Sequence, residues 1–215
     1  MSNNDRGQRE VTGRNREDCF DECSAFSRYV FSDDDGKTPL QTHVCMEFAR
    51  HFDPDCPFGL MLYGEGAGKT FRLASIANAL LDKGRTVKFL TAAETGYSPM
   101  DSMTDEECKS YLEHLAEYDL VIIDNFGTKR RESLKSDWAN AVVTARSSAG
   151  KPMVIESRVT PTDMHDTLPD ITWRKSYEVL LKTCLPVDFG DDRSRFGERA
   201  ERTRKEMARR LGIDE

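Results

Sequence analysis

Leu60-Met61-Leu62-Tyr63-Gly64-Glu65-Gly66-Ala67-Gly68-Lys69-Thr70 is the stretch from which the rest of this chain can be read. The run Gly59 to Tyr63 is short and apolar, as a buried strand is. It breaks into glycines, then Lys69-Thr70, then a helical apolar pattern of Leu73, Ile76, Ala77, Leu80 and Leu81. Strand, glycine loop and helix in that order is the setting a phosphate-binding loop requires. Glycines let backbone N–H groups turn toward phosphate oxygens, and the helix N-terminus adds partial positive charge. On this reading Gly64, Glu65, Gly66, Ala67, Gly68, Lys69, Thr70 and Phe71 line a nucleotide site. Lys69 reaches the β- and γ-phosphates, and the Thr70 hydroxyl ligates Mg²⁺.

The spacing departs from the GxxxxGK[ST] pattern, because Gly64 stands four positions before Gly68. Either Tyr63 takes the first position of the pattern, or the loop is one residue shorter and encloses phosphate less completely. The bland alternative is a glycine-rich turn that binds nothing. Lysine followed by threonine at a helix start after a strand argues against it.

Working outward, Thr38 to Phe52 has helical spacing, with Leu40, Val44, Phe48 and Phe52 on one side and Asp53-Pro54 as the stop. After the first loop helix, which ends near Asp82, Thr86 to Thr91 alternates like a strand. Residues 92 to 103 read as a loop. Thr104 to Glu107 makes a capping box for a helix through Tyr118. Asp119 to Asn125 is a central strand, apolar on both faces, with an acid at its tip. Ligands of open α/β sheets gather outside the carboxyl ends of the strands, so Asp124 is the second Mg²⁺ residue. Asn125, the next residue, is an amide where a hydrolytic site wants a proton acceptor, which removes general-base help worth about 10²- to 10⁴-fold. Ser133 to Ala149 reads as a helix, Pro152 to Ser157 as a strand, and a short helix is expected from Pro161. Trp173 to Cys184 reads as a helix and Leu185 to Phe189 as a last strand. The tail from Ser194 to Leu211 is a charged helix, whose arginines either make i,i+4 ion pairs or touch nucleic acid or a partner.

A chain of 215 residues has room for one large domain with appendages. A net charge of −7 argues against a surface coated in basic groups. The absence of a long apolar run and the polar start point to a cytoplasmic protein without membrane attachment. Six cysteines in a chain of this size read as reduced thiols. Cys19, Cys23, His43 and Cys45 are the residue types of a zinc site, but they lack the tight knuckle spacing, and ordinary thiols are the better reading. The domain expectation is a largely disordered polar segment over 1–37, a nucleotide-binding domain over 38–193 and a basic helical tail over 194–215.

The segments Gly59 to Glu94, Tyr118 to Arg131, Ala149 to Val159 and Leu185 to Arg193 together resemble the DnaC/IstB-type ATPases, the helicase-loader branch of the AAA+ superfamily. Gly127 and Thr128 after the acid strand are typical of that family. The resemblance implies an α/β P-loop NTPase fold of AAA+ type, a three-layer sandwich around a central, mostly parallel sheet. It implies ATP and Mg²⁺ as cofactors, with Lys69 and Thr70 as nucleotide and metal residues and Asp124 as the Walker B acid. A replicative helicase or a transposase, single- or double-stranded DNA, and further copies of the chain are the partners it implies. Four positions depart from the family. The loop is short, Asn125 replaces the partner acid, and Arg158 stands where an Asn senses the γ-phosphate. The Ser-Arg pair of the late helix is missing, with Arg174 the nearest candidate for its catalytic arginine. The family's helicase-binding N-terminal domain is substantial, whereas some 37 residues precede the first core helix here. Two functions follow: a replication accessory that uses ATP to control assembly, or a non-hydrolysing adaptor acting through protein contacts. A kinase would need an acceptor pocket and an arginine-rich lid, and residues 92–103 supply neither.

Overall fold

Apolar side chains alternate along five short strands, and the alternation splits the core into two halves. The computed structural model describes residues 16–21, 24–92, 100, 102–127, 138–160 and 171–190, with 205 and 209. Strands β1 (Gly59–Tyr63), β2 (Val87–Thr91), β3 (Leu120–Phe126), β4 (Met153–Ser157) and β5 (Cys184–Asp188) form one sheet in the order β2-β3-β4-β1-β5. All four neighbouring pairs are parallel. Helices α1 (Pro39–Arg50), α2 (Lys69–Asp82), α3 (Asp105–Glu117), α4 (Trp138–Ser148) and α5 (Ile171–Thr183) alternate with the strands.

Leu60, Leu62, Phe89, Leu120, Ile122 and Val154 face α1, α2 and the N-terminal segment. Met61, Leu90, Val121, Ile123, Met153 and Ile155 face α3, α4 and α5. One-residue alternation in a strand sends neighbours to opposite faces, so a fully apolar strand must be covered twice. The outcome is the three-layer α/β sandwich that the sequence implies, with β1 seated between β4 and β5.

Several expectations change in detail. Within the 1–37 segment, residues 1–15 lie outside the described residues, but Arg16 to Asp21 and Ser24 to Lys37 are packed rather than loose. Phe20 and Phe26 lie 5.6 and 5.3 Å from the Phe89 ring, and Asn78 Nδ2 donates to the carbonyls of Phe26 and Tyr29. Lys88 Nζ donates to the Asp18 carbonyl and the Asp21 carboxylate, clamping the segment over β2. The physical reason is the exposed flank of α2 and β2, which needs an apolar cover that Cys19, Phe20 and Phe26 supply.

Of the apolar side that its spacing suggests, helix α1 packs Val44, Phe48 and Phe52 against the core but leaves Leu40 outside. Leu40 is 69% exposed, while Thr42, Cys45 and Ala49 are buried. Small side chains let α1 approach α2 closely, and Val44, Phe48 and Phe52 close the margins. Helix α5 ends one residue earlier than its apolar spacing implies, because Cys184 already pairs with Gly59 as the first residue of β5. The helix expected from Pro161 and the charged tail lie outside the described residues, as do residues 133–137 of the helix expected from Ser133.

Among the described residues, Cys19, His43 and Cys45 form no metal cluster. Cys19 and Cys45 are buried and His43 is exposed, while Cys23 lies outside the described residues. Burial pushes both thiols up to about 12, away from the thiolate form that zinc takes. Among the described residues no three His, Cys, Asp or Glu side chains converge on a metal, and no helix is long and apolar enough to cross a membrane.

Helix α3 begins with the capping box that the sequence shows. Thr104 accepts from Glu107 N–H while the Glu107 carboxylate accepts from Thr104 N–H. Its other end is capped from a distance. Arg146 on α4 is fully buried, and its guanidinium donates to the carbonyls of Leu115, Tyr118, Asp119 and Pro152. Those carbonyls include the orphan acceptors of a helix C-terminus, where a cation is also favoured by the dipole. Burial lowers the Arg146 pKa to about 10, which leaves it charged at neutral pH. Arg146→Met should cost at least about 3 kcal/mol, since it strands several buried acceptors at once. Urea denaturation of the two proteins measures the difference.

Candidate functional site

Strand β1 delivers the chain to the carboxyl edge of the sheet. Tyr63 remains in the strand, paired with Ser157 and Asp188 on its two sides, and its carbonyl accepts from Phe189 N–H at 2.9 Å. The loop is therefore Gly64 to Gly68, the shorter of the two possibilities that the sequence leaves. Gly68 is the N-cap of α2 in the left-handed region, φ 97°, where glycine is favoured over residues carrying a Cβ. No side chain caps α2 there and its first turn holds no acid, so its positive end is not neutralised from within the helix.

The loop leans on the exit of β5. Gly66 N–H donates to the Gly190 carbonyl at 2.7 Å, and a Cβ on Gly66 would lie 1.9 Å from the Phe189 carbonyl oxygen. Glycine at 66 thus answers to backbone packing, and its amide is committed to Gly190. Glu65 and Ala67 are half-buried parts of the same loop. The Phe71 ring turns toward the N-terminal segment, 5.5 Å from the Tyr29 ring.

Lys69 is 6% exposed. Its Nζ donates to the carbonyls of Gly64 at 2.5 Å and Gly66 at 2.9 Å, and lies 3.3 Å from Glu156 Oε1. One residue on, Thr70 Oγ1 donates to the Asp124 carboxylate, 3.1 Å from Oδ2 and 3.2 Å from Oδ1. Asp124 is 2% exposed. Burial first, and the negative charge of Glu156 second, raise its pKa to about 7, with the Thr70 hydrogen bond opposing. A hydroxyl and a carboxylate at this separation are hard oxygen donors of the kind Mg²⁺ takes. An uncapped helix start with a buried lysine beside it suits a phosphate chain.

Strand β3 is irregular beyond Asp124. Its register against β4 shifts between Ile123 and Phe126, and Asn125 has φ 61°, a left-handed conformation that Asn tolerates better than most residues. The Asn125 side-chain amide lies 3.5 Å from Asp124 Oδ2, and its backbone N–H donates to Glu156 Oε2 at 2.9 Å. Glu156, on β4, is the residue that the motif reading missed. Arg158, placed by the sequence at the tip of that strand, is exposed, whereas Glu156 is 3% exposed and lies against Lys69. The available signal was an acid inside the otherwise apolar run Pro152 to Ser157. Burial raises the Glu156 pKa, and Lys69 opposes the rise.

Arg72 is the other residue missed. It is buried, pairs with the Asp34 carboxylate, and its Nη1 donates to the Gly68 carbonyl at 3.2 Å. Arg174 sits exposed on the first turn of α5. Lys69, Thr70, Asp124 and Asn125 are thus brought together, with Glu156 added, while Arg158 and Arg174 lie at the surface.

A family model described as the bacterial DnaA ATPase domain matches residues 36–174, well over half of the chain. The replicative helicase loader DnaC of Escherichia coli strain K12 is 28% identical over 110 residues, which are 49% of this chain and 44% of DnaC. The replicative helicase loader DnaI of Bacillus subtilis strain 168 is 28% identical over 108 residues, 49% of this chain and 35% of DnaI. The matched part spans less than half the length of either relative. Among solved structures, a crystal structure of DnaI superposes with TM-score 0.62 at 20% identity, covering 76% of this chain and 92% of that one. A crystal structure of the DnaC helicase loader gives TM-score 0.61 at 14% identity over 77% of this chain and 99% of that one. The replication initiator DnaA bound to AMPPCP and single-stranded DNA gives 0.59 at 16% identity over 75% of this chain and 49% of that one. These superpositions establish a shared fold. The match to the family model shows that the chain belongs to the bacterial DnaA ATPase-domain family.

Proposed function

We propose that this chain is an ATP-binding replication accessory of helicase-loader type, which uses nucleotide to control its assembly on a replicative helicase or on DNA. The observation that carries the reading is the meeting of Thr70, at the start of α2, with Asp124, at the tip of β3, directly beside the buried Lys69. Lys69 and the α2 N-terminus would hold the phosphates, and Thr70 and Asp124 the Mg²⁺. The bound nucleotide would supply the charge that orders surfaces near the carboxyl edge of the sheet. The relatives named replicative helicase loaders support the helicase as partner, and the DnaA structure with single-stranded DNA supports that form of nucleic acid. Self-association belongs to the same proposal, with the exposed Arg174 as the group offered to a neighbour. A transposase in place of the helicase is the remaining partner of this kind.

One observation favours the second reading, a non-hydrolysing adaptor. Beyond Asp124 the strand offers an amide, Asn125, twisted into the left-handed region with its backbone bound to Glu156. Binding and turnover are therefore separate properties.

Calorimetry of ATP with Mg²⁺ on wild type and Lys69→Ala separates the cases. The expected result is micromolar binding that the variant loses, with turnover stimulated by DNA on the same sample. Binding without turnover selects the adaptor, and no binding to the wild type rejects the nucleotide reading.

Asp124 adds a prediction for the ligand-free protein. Its carboxyl titrates near 7 in the fold but near 3.8 in an unfolded chain. The fold therefore binds this proton more tightly, and the resulting stability is complete below pH 3.8 and lost as pH rises through 7. Asp124→Asn should melt above wild type at pH 8 without Mg²⁺, with the gap closing toward pH 4. An equal gap at both pH values would contradict the assignment.

A further inference from the structure

Lys69 has three N–H bonds to offer. Two are taken by the Gly64 and Gly66 carbonyls, and the third side faces Glu156 Oε1 at 3.3 Å. A phosphate oxygen can therefore reach this ammonium only by displacing one of these partners. The carbonyls are neutral, whereas Glu156 is an anion competing for the same cation as the phosphate. Glu156 cannot move aside easily, since it sits within β4, 3% exposed, with its other oxygen holding the Asn125 N–H. Drawing Lys69 away leaves a buried carboxylate beside the Asp124 carboxylate, whose charge already opposes it. Exposed Arg158 attracts Glu156 more weakly than Lys69 does.

We infer that Glu156 is a positioning residue that holds Lys69 in the ligand-free protein and lowers nucleotide affinity by competing with phosphate for it. This rests on the reading of the site as a nucleotide site. The competitor lies on the strand next to the irregular end of β3, so it also ties the lysine of the glycine loop to the backbone of Asn125. No covalent step is involved; an ion pair within the protein is exchanged for one with the ligand.

Glu156→Gln keeps the length of the side chain and an oxygen for the Asn125 N–H, and removes the charge. Calorimetry with ATP and Mg²⁺ should show binding about tenfold tighter than wild type, the scale of one lost competing ion pair. Glu156→Asp retains the charge on a shorter side chain and should tighten binding less than Glu156→Gln does. Equal tightening by Gln and Asp would mean loosened packing and would overturn the inference. So would wild-type binding that Glu156→Gln leaves unchanged or weakens. Absence of nucleotide binding in both wild type and Glu156→Gln rejects the nucleotide reading and this inference with it.

A measurement without nucleotide guards against a misfolded Glu156→Gln protein. Lys69→Met strands the Glu156 charge and should melt well below wild type, and Lys69→Met/Glu156→Gln should recover most of the loss. Failure of the double variant to recover would show that the two side chains are not coupled, and would overturn the inference independently.

Discussion

Three ionisable side chains, Lys69, Asp124 and Glu156, are each less than a tenth exposed and share the carboxyl edge of one sheet. Burying charge costs several kcal/mol per group unless each is met by an opposite charge or by aimed dipoles. The surrounding backbone meets that requirement. Loop carbonyls turn toward Lys69, the Thr70 hydroxyl toward Asp124, and the bulged N–H of Asn125 toward Glu156. The loop glycines and the irregular end of β3 both serve to keep these three groups apart from water and close to one another.

Polar contacts through Arg72 extend this arrangement to the N-terminal segment. Arg72 joins Asp34, Thr38 and Thr42 to the Gly68 carbonyl, so the segment before α1 is bonded to the loop itself. Arg72 also lies over the Phe189 ring, which Lys69 approaches from its own side. Asp34, Thr38 and Thr42 are thus part of the site's support.

The sheet and the start of the site were legible because their signals are local. A run of β-formers, a switch to helical spacing at Lys69 and a Thr-x-x-Glu box each lie within a few residues. What escaped was what depends on register and distance. Glu156 acts through the strand beside it, and nothing near residue 156 says that Leu62 and the bulge at Asn125 lie alongside. Arg72 finds its acid 38 positions away. Leu40 looks like a core residue by spacing, yet the docking face of α1 was decided by how closely small Cys45 and Ala49 let it approach.

The junction of α5 and β5 carries a mechanical consequence. Thr183 ends the helix and Cys184 begins the strand, with no residue between them to act as a hinge. Directly after the strand ends at Asp188 the chain reaches Phe189 and Gly190, against whose carbonyls the glycine loop packs. The end of α5 therefore fixes the start of β5, which pairs with β1 from its first residue, Cys184 opposite Gly59. The seating of α5 on the sheet thereby fixes where the Gly190 carbonyl stands beneath Gly66, so a distant helix helps set the position of the glycine loop.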